Sequence, residues 1–281
     1  MFRIQFLIFF SIWFGVIGLA HWYVGRRVIK AAHFTREQAR IAWVVVVLLF
    51  LIPQVPFAFF LAGVQSNALD IFSYLGYIVM GFFTLVLTFV VLRDLVLLIG
   101  KGINRAGKSL SRRRDEIPVS DDRRRFLVHA SNIGIIGIAA AASGYGFLQA
   151  HRRPMVESVD IPLANLPLEF DRFRILQFSD LHVGPTIKRD YVEQITGQIL
   201  EQKADMIVFT GDLVDGSVAW LKDDVAPLKE LKAPFGTYFS TGNHEYYSGV
   251  EAWMREADRL GFDVLHNEHR VITQGEGKIV L

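Results

Sequence analysis

Phe173-Arg174-Ile175-Leu176-Gln177-Phe178-Ser179-Asp180-Leu181-His182 decides how the carboxyl-terminal half of this chain folds. Its first six residues read as a buried strand, and the run breaks off on an acid and a histidine. The pattern recurs twice. Residues 206–210 lead into Gly211-Asp212-Leu213-Val214-Asp215, and residues 236–240 lead into Gly242-Asn243-His244-Glu245. Asp180 and Asp212 lie 32 positions apart, and Asp212 and Asn243 lie 31 apart, about one strand-helix-strand repeat each. Helical patterns at 189–202, 224–231 and 250–260 follow the three strands. Strands alternating with helices imply βαβ units and a mainly parallel sheet whose helices cover its faces. Residues 264–265, 269–273 and 278–281 read as further short strands, with Gln274-Gly275-Glu276-Gly277 as a hairpin turn.

Each polar cluster falls at the carboxyl end of a strand, the edge where open α/β sheets gather their ligands. Asp-x-His alone is commonly a loop, Gly-Asp a turn, and Asn-His a helix cap. In this order, each after a strand and evenly spaced, they favour one pocket of oxygen and imidazole donors able to hold a metal. His266 and His269 have no partner pattern and read as surface residues. His21, His33, His129 and His151 read as interfacial.

Upstream the composition changes. The 281 residues are 52% hydrophobic, with mean hydropathy +0.32 and net charge +2. That small net charge conceals an asymmetry: residues 1–150 balance to +9 and residues 151–281 to −7. An acidic soluble half is a poor partner for nucleic acid, and none is expected. The absence of cysteine excludes disulfides, thiolate metal sites and cysteine nucleophiles.

Residues 1–150 form a transmembrane region with apolar spans at about 4–20, 41–62, 71–92 and 131–148, the last short and rich in Gly and Ala. The first connection holds Arg26, Arg27, Lys30, Arg36 and Arg40, and the third holds nine basic residues, among them Arg112, Arg113 and Arg114. The second, residues 63–70, holds none. The positive-inside rule puts the first and third connections in the cytoplasm, and the soluble half outside. Asp122-Arg123-Arg124-Arg125-Phe126-Leu127 reads two ways, as a twin-arginine-like export signal or as a basic anchor for the next helix. Arg93 and Asp94 read as snorkelling toward the basic connection.

The three clusters, with Phe173-Arg174-Ile175 before the first and Glu245-Tyr246-Tyr247-Ser248-Gly249 after the third, resemble the calcineurin-like metallophosphoesterases of membrane-anchored bacterial type. The resemblance covers residues 156–281 and leaves the four spans outside it. It implies an α/β architecture in which a bundle of about four transmembrane helices precedes a truncated calcineurin-like α/β sandwich. It further implies hydrolysis of phosphate mono- or diesters by water activated at two divalent metal ions (Mn, Fe or Zn). Carried over by motif, Asp180 and His182 ligate the first metal, Asp212 bridges both, Asn243 ligates the second, and His244 is the general acid. Asp215 and Glu245 support them from behind.

The family's site closes with later histidines, including a Gly-His-x-His motif, that do not occur before Leu281. The expectation is therefore a fragment whose soluble part is inactive as given. Tethering beside the bilayer favours a lipid headgroup or cell-envelope phosphate as substrate. Two rivals remain: a non-catalytic membrane protein with an incomplete phosphoesterase scaffold, and a transporter built on the spans. The spans' lack of midplane polar residues and of repeat symmetry disfavours the transporter.

Overall fold

The computed structural model describes residues 2–32, 34–61, 64–110 and 121–281. Arg112, Arg113, Arg114 and His33 lie outside the described residues, as do the side chains of Arg124 and Arg125. The chain divides into two compact units, one of residues 1–63 and 72–151, the other of residues 64–71 and 152–281.

The first unit is helical: α1 (Phe2–Ala31), α2 (Arg36–Leu51), α3 (Gln54–Leu61), α4 (Asn67–Leu110) and α5 (Asp121–Ala150). Among the described residues, four segments are long and apolar enough to cross a membrane: Ile8–Ala31, Arg36–Phe59, Asn67–Ile103 and Phe126–Ala150. Helix α2 starts on a capping box, in which the Thr35 side chain accepts from the Gln38 amide while Gln38 accepts from the Thr35 amide. A turn at Ile52-Pro53 separates α2 from α3, where proline brings no N–H to continue the ladder. Gly25 lets α1 and α2 approach, since a Cβ there would lie 2.9 Å from the Trp43 ring. Large apolar side chains such as Ile12, Val44, Ile71 and Leu98 point outward, as suits lipid rather than water.

Arg93 and Asp94 depart from the sequence expectation. Both side chains are only 14% exposed, and they join α4 to its neighbours instead of reaching away. Asp94 accepts from the Tyr23 hydroxyl at 2.6 Å and pairs with Arg27 at 2.7 Å, both on α1. Arg93 donates to Asp94, and also to Ser131 and Asn132 on α5. The reason is tertiary: three helices contribute polar groups at one level, which no single apolar run can reveal.

The second unit is built on a four-stranded sheet of order β1-β2-β3-β4, parallel throughout: β1 (Ile175–Phe178), β2 (Met206–Phe209), β3 (Thr237–Phe239) and β4 (Asp263–Val264). Helices α6 (Arg189–Glu201), α7 (Val218–Val225) and α9 (Val250–Leu260) connect the strands, with the short α8 (Asn243–Ser248) after β3. Successive strands lie side by side, so right-handed crossovers put every connecting helix on one face. Ile207, Phe209 and Phe239 point into that face and pack with Val192, Ile195 and Ile199 of α6, Leu221 and Val225 of α7, and Trp253 and Leu260 of α9. The opposite face carries Met206 and Tyr238, which pack with Phe170 and Ile272. Ile272 belongs to the antiparallel hairpin of β5 (Val271–Gln274) and β6 (Gly277–Val280). Helices thus cover one face and a hairpin the other, where the sequence pattern implied helices on both. The helix expected over 224–231 instead begins after Ser217 and gives way to a 3-10 turn, Ala226–Glu230, in which Pro227 cannot continue an α-helical ladder.

Candidate metal centre

The loops leaving β1, β2 and β3 meet beyond the sheet edge, joined first by their backbones. Asp180 N–H donates to the Gly211 carbonyl at 3.1 Å, His182 N–H to Asp212 at 3.1 Å, and Val183 N–H to Leu213 at 2.8 Å. The strand pairing of β1 and β2 therefore continues past the strands into an isolated bridge between Val183 and Val214. The second and third loops approach even more closely. A Cβ on Gly211 would lie 2.2 Å from the Gly242 nitrogen, and one on Gly242 would lie 2.2 Å from Asp212 Oδ1. Only glycine fits at either position. Gly216 is similarly enclosed by Trp220, and its carbonyl accepts from the buried Trp253 indole at 2.9 Å.

Backbone conformation marks the same spot. Asp180, His182 and Asp212 all take left-handed φ values, 58°, 47° and 57°. Non-glycine residues enter that region rarely, and Asp and His are among those that tolerate it. Three such residues on two adjacent loops turn their side chains out of the strand direction at a cost that the surrounding bonds offset.

Glu245 is the centre of those bonds. Its carboxylate is fully buried and accepts three backbone N–H groups: Gly242 at 2.7 Å, Leu213 at 2.7 Å and Asp212 at 3.0 Å. One side chain thereby stitches the second loop to the third through charge-assisted hydrogen bonds. Asp212 Oδ1 in turn accepts the His244 amide at 3.0 Å.

Outside this clamp the donor side chains gather. Ligand atoms of His182, Asp212 and His244 all lie within 4.8 Å of one another. Asp215 Oδ1 lies 2.5 Å from His244 Nδ1 and 3.2 Å from His182 Nδ1. A carboxylate only accepts, so each Nδ1 carries the proton and each Nε2 is left as the nitrogen turned away from Asp215. This is how metal-binding imidazoles are ordinarily oriented. The two rings stand edge to face with centroids 4.3 Å apart. Asp180 is more open: its side chain is 64% exposed, with Oδ1 3.7 Å from His182 Nε2 and Oδ2 accepting from Ser179. Asn243 is exposed at the start of α8, and His266 and His269 are exposed and away from the cluster. His182 and Asp212, beside an orienting carboxylate on a glycine-lined rim, offer imidazole and carboxylate donors that fit a divalent transition metal, and His244 faces the same spot.

A parallel α/β sheet whose strand-tip loops bring His182, Asp212 and His244 together is an α/β domain with a candidate metal site at the carboxyl edge of its strands. Residues 173–277 match the calcineurin-like phosphoesterase family, so this segment is a calcineurin-like domain. It is similar to a zebrafish (Danio rerio) transmembrane protein with metallophosphoesterase domain, 33% identical over 98% of this chain and 61% of the relative. A cattle (Bos taurus) protein of the same description is 32% identical over 71% of this chain and 43% of the relative. An uncharacterized metallophosphoesterase of Bacillus subtilis is 31% identical over 55% of this chain and 56% of its own. No solved structure matches. The chain thus spans between about two fifths and three fifths of these relatives. Likeness to the fish protein runs through the helical unit as well as the domain. The relatives are vertebrate as well as bacterial.

Proposed function

We propose that this protein is a membrane-anchored, metal-dependent phosphoesterase acting on phosphate mono- or diesters. The observation that carries the reading is the convergence of His182, Asp212 and His244 ligand atoms within 4.8 Å, on loops from three different strands. Asp180, His182 and Asp212 would hold the first ion, and Asp212 and Asn243 would hold the second. Divalent ions bound there supply charge neutralisation and Lewis acidity toward the phosphoryl group. The remaining work falls to the chain's own groups. Asp215 fixes both imidazoles by their Nδ1 protons. His244, thus held, keeps Nε2 for a proton that passes to the departing oxygen as the ester bond breaks. Glu245 keeps Asp212 and Gly242 in register and takes no part in proton transfer.

The domain lies outside the cytoplasmic membrane. The connection at 63–70 has no basic residue and the connections flanking it are basic, and an even number of spans returns the chain to the side of its amino terminus. A phosphate carried by a lipid headgroup or the cell envelope is the substrate class this location favours.

Hydrolysis of an aryl phosphate by the protein in lipid vesicles, before and after chelation and manganese readdition, tests the activity. Metal-dependent turnover is expected, and turnover indifferent to chelation overturns the proposal. His244→Ala should slow alkyl esters more than aryl esters, because an aryl oxide leaves with less need of a proton. Equal losses overturn the general-acid role. A reporter fused at Leu281 should be active only outside the cytoplasm.

A further inference from the structure

Residues 64–71 fold with the phosphoesterase domain as part of one compact unit, although 81 positions separate residue 71 from residue 152. Three polar side chains of this short stretch reach the domain. The Gln65 side-chain oxygen accepts from both the backbone N–H and the hydroxyl of Ser217, at 3.2 and 2.6 Å. Asn67 accepts the Trp220 indole N–H at 3.0 Å. Asp70 pairs with the Lys188 ammonium at 2.8 Å, and these two side chains are only 15% and 28% exposed. Lys188 in turn stands 4.6 Å above the Trp220 ring and 3.4 Å from Asp224.

The partners on the domain are not scattered. Ser217 comes two residues after Asp215, the carboxylate that orients both imidazoles. Lys188 comes six residues after His182, at the end of the same loop. Each is the residue from which a helix starts, Ser217 for α7 and Lys188 for α6. Ser217 makes no side-chain capping bond to its own helix, because its hydroxyl is turned to Gln65 instead. The two loops also touch each other directly: a Cβ on Gly184 would lie 3.1 Å from the Asp215 Cβ. Whatever fixes Ser217 and Lys188 therefore fixes the far ends of the segments bearing Asp215 and His182.

We propose that residues 65–70 act as a strap that positions the His182 and Asp215 loops. Gln65, Asn67 and Asp70 are then positioning residues for the metal centre, working through Ser217, Trp220 and Lys188. Two of the anchored groups, Ser217 and Lys188, lie on the loops themselves and the third on the first turn of α7, so the strap tightens the site without entering it. That it serves a metal rests on the function proposed above. That it holds the loops does not.

The chain has no cysteine, which makes the test clean. Full-length protein in lipid vesicles carrying Gln65→Cys and Ser217→Cys should be joined within one chain by a short bismaleimide. The control pair, Gln65→Cys with His266→Cys, should not. Failure of the first pair to join overturns the strap. In Asp70→Asn, and in the double variant Gln65→Ala with Asn67→Ala, amides of residues 183–188 and 215–218 should exchange hydrogen faster while those of α9 keep their protection. Manganese affinity, measured by titration, should fall about tenfold, the scale seen when groups behind metal ligands are removed. Asp70→Glu should restore it. Unchanged exchange and unchanged affinity in a cross-linkable protein overturn the positioning role. If α9 also loses protection in the double variant, Asp70→Asn alone decides. Faster loop exchange in a protein that binds no manganese even before substitution upholds the strap and removes the metal reading.

Discussion

Asp94 among the helices and Glu245 in the α/β unit are both carboxylates withdrawn from solvent, and they are satisfied in opposite ways. Asp94 is met by side chains: the Tyr23 hydroxyl and the guanidinium groups of Arg27 and Arg93. Glu245 is met by backbone: the amides of Asp212, Leu213 and Gly242. The difference follows from what each scaffold leaves over. Inside a helix every amide is already spent on its own ladder, so only side chains can tie one helix to the next. Where a strand ends in a turn, amides point outward unpaired, and a buried carboxylate collects them. The helical unit is thus tied through charge pairs, while the candidate metal site is tied through the main chain that carries its donor residues.

Substitutions at four positions sharpen or break this contrast. Asp212→Ala should have the largest effect, lowering hydrolysis by about 10³-fold or more, since its carboxylate lies at the centre of the donor set. Substantial residual activity would remove that assignment. Glu245→Ala should follow. Three buried amides would lose their acceptor, costing the α/β unit about 3 kcal/mol or more of stability, measured by urea unfolding. Glu245→Gln should cost less, because one oxygen still accepts. Asp215→Asn should fold normally yet weaken manganese binding by about 10–100-fold, as a neutral amide oxygen replaces the charged acceptor that sets both tautomers. Asp94→Asn should be the mildest, destabilising the helical unit in detergent by about 1–2 kcal/mol. It should leave manganese affinity unchanged. A drop matching that of Asp215→Asn would mean the two carboxylates are not separate devices.

Much of the α/β unit was readable because its signals are local. Residues 206–209 and 237–239 form strands within the runs that apolar patterning marked, and α9 occupies the expected 250–260. Asp180, His182, Asp212 and His244 stood out because donor residues interrupt apolar runs at a repeat spacing, and the fold does draw their loops together. What stayed hidden depends on distant partners. Glu245 looked merely supporting, and its three amide contacts require two loops to close on each other. The start of α7 was placed late because the role of Ser217 becomes visible only with Gln65 beside it, 152 positions away. The interhelical network around Asp94 was missed for the same reason: Tyr23, Arg27 and Asn132 are ordinary residues until three helices pack. Loop glycines were the one available clue to closeness, since Gly211 and Gly242 sit where two backbones nearly touch.

The most direct measurement is diffraction at the manganese absorption edge from crystals of the protein grown with that metal. An anomalous peak is expected within about 2.0–2.3 Å of donor atoms from His182 and Asp212, on the Nε2 side of the imidazole. It should vanish in Asp212→Ala crystals whose fold is intact. No peak at the three-loop junction, or a peak held by other residues while Glu245 keeps its amides, would contradict the assignment of this rim as a metal centre.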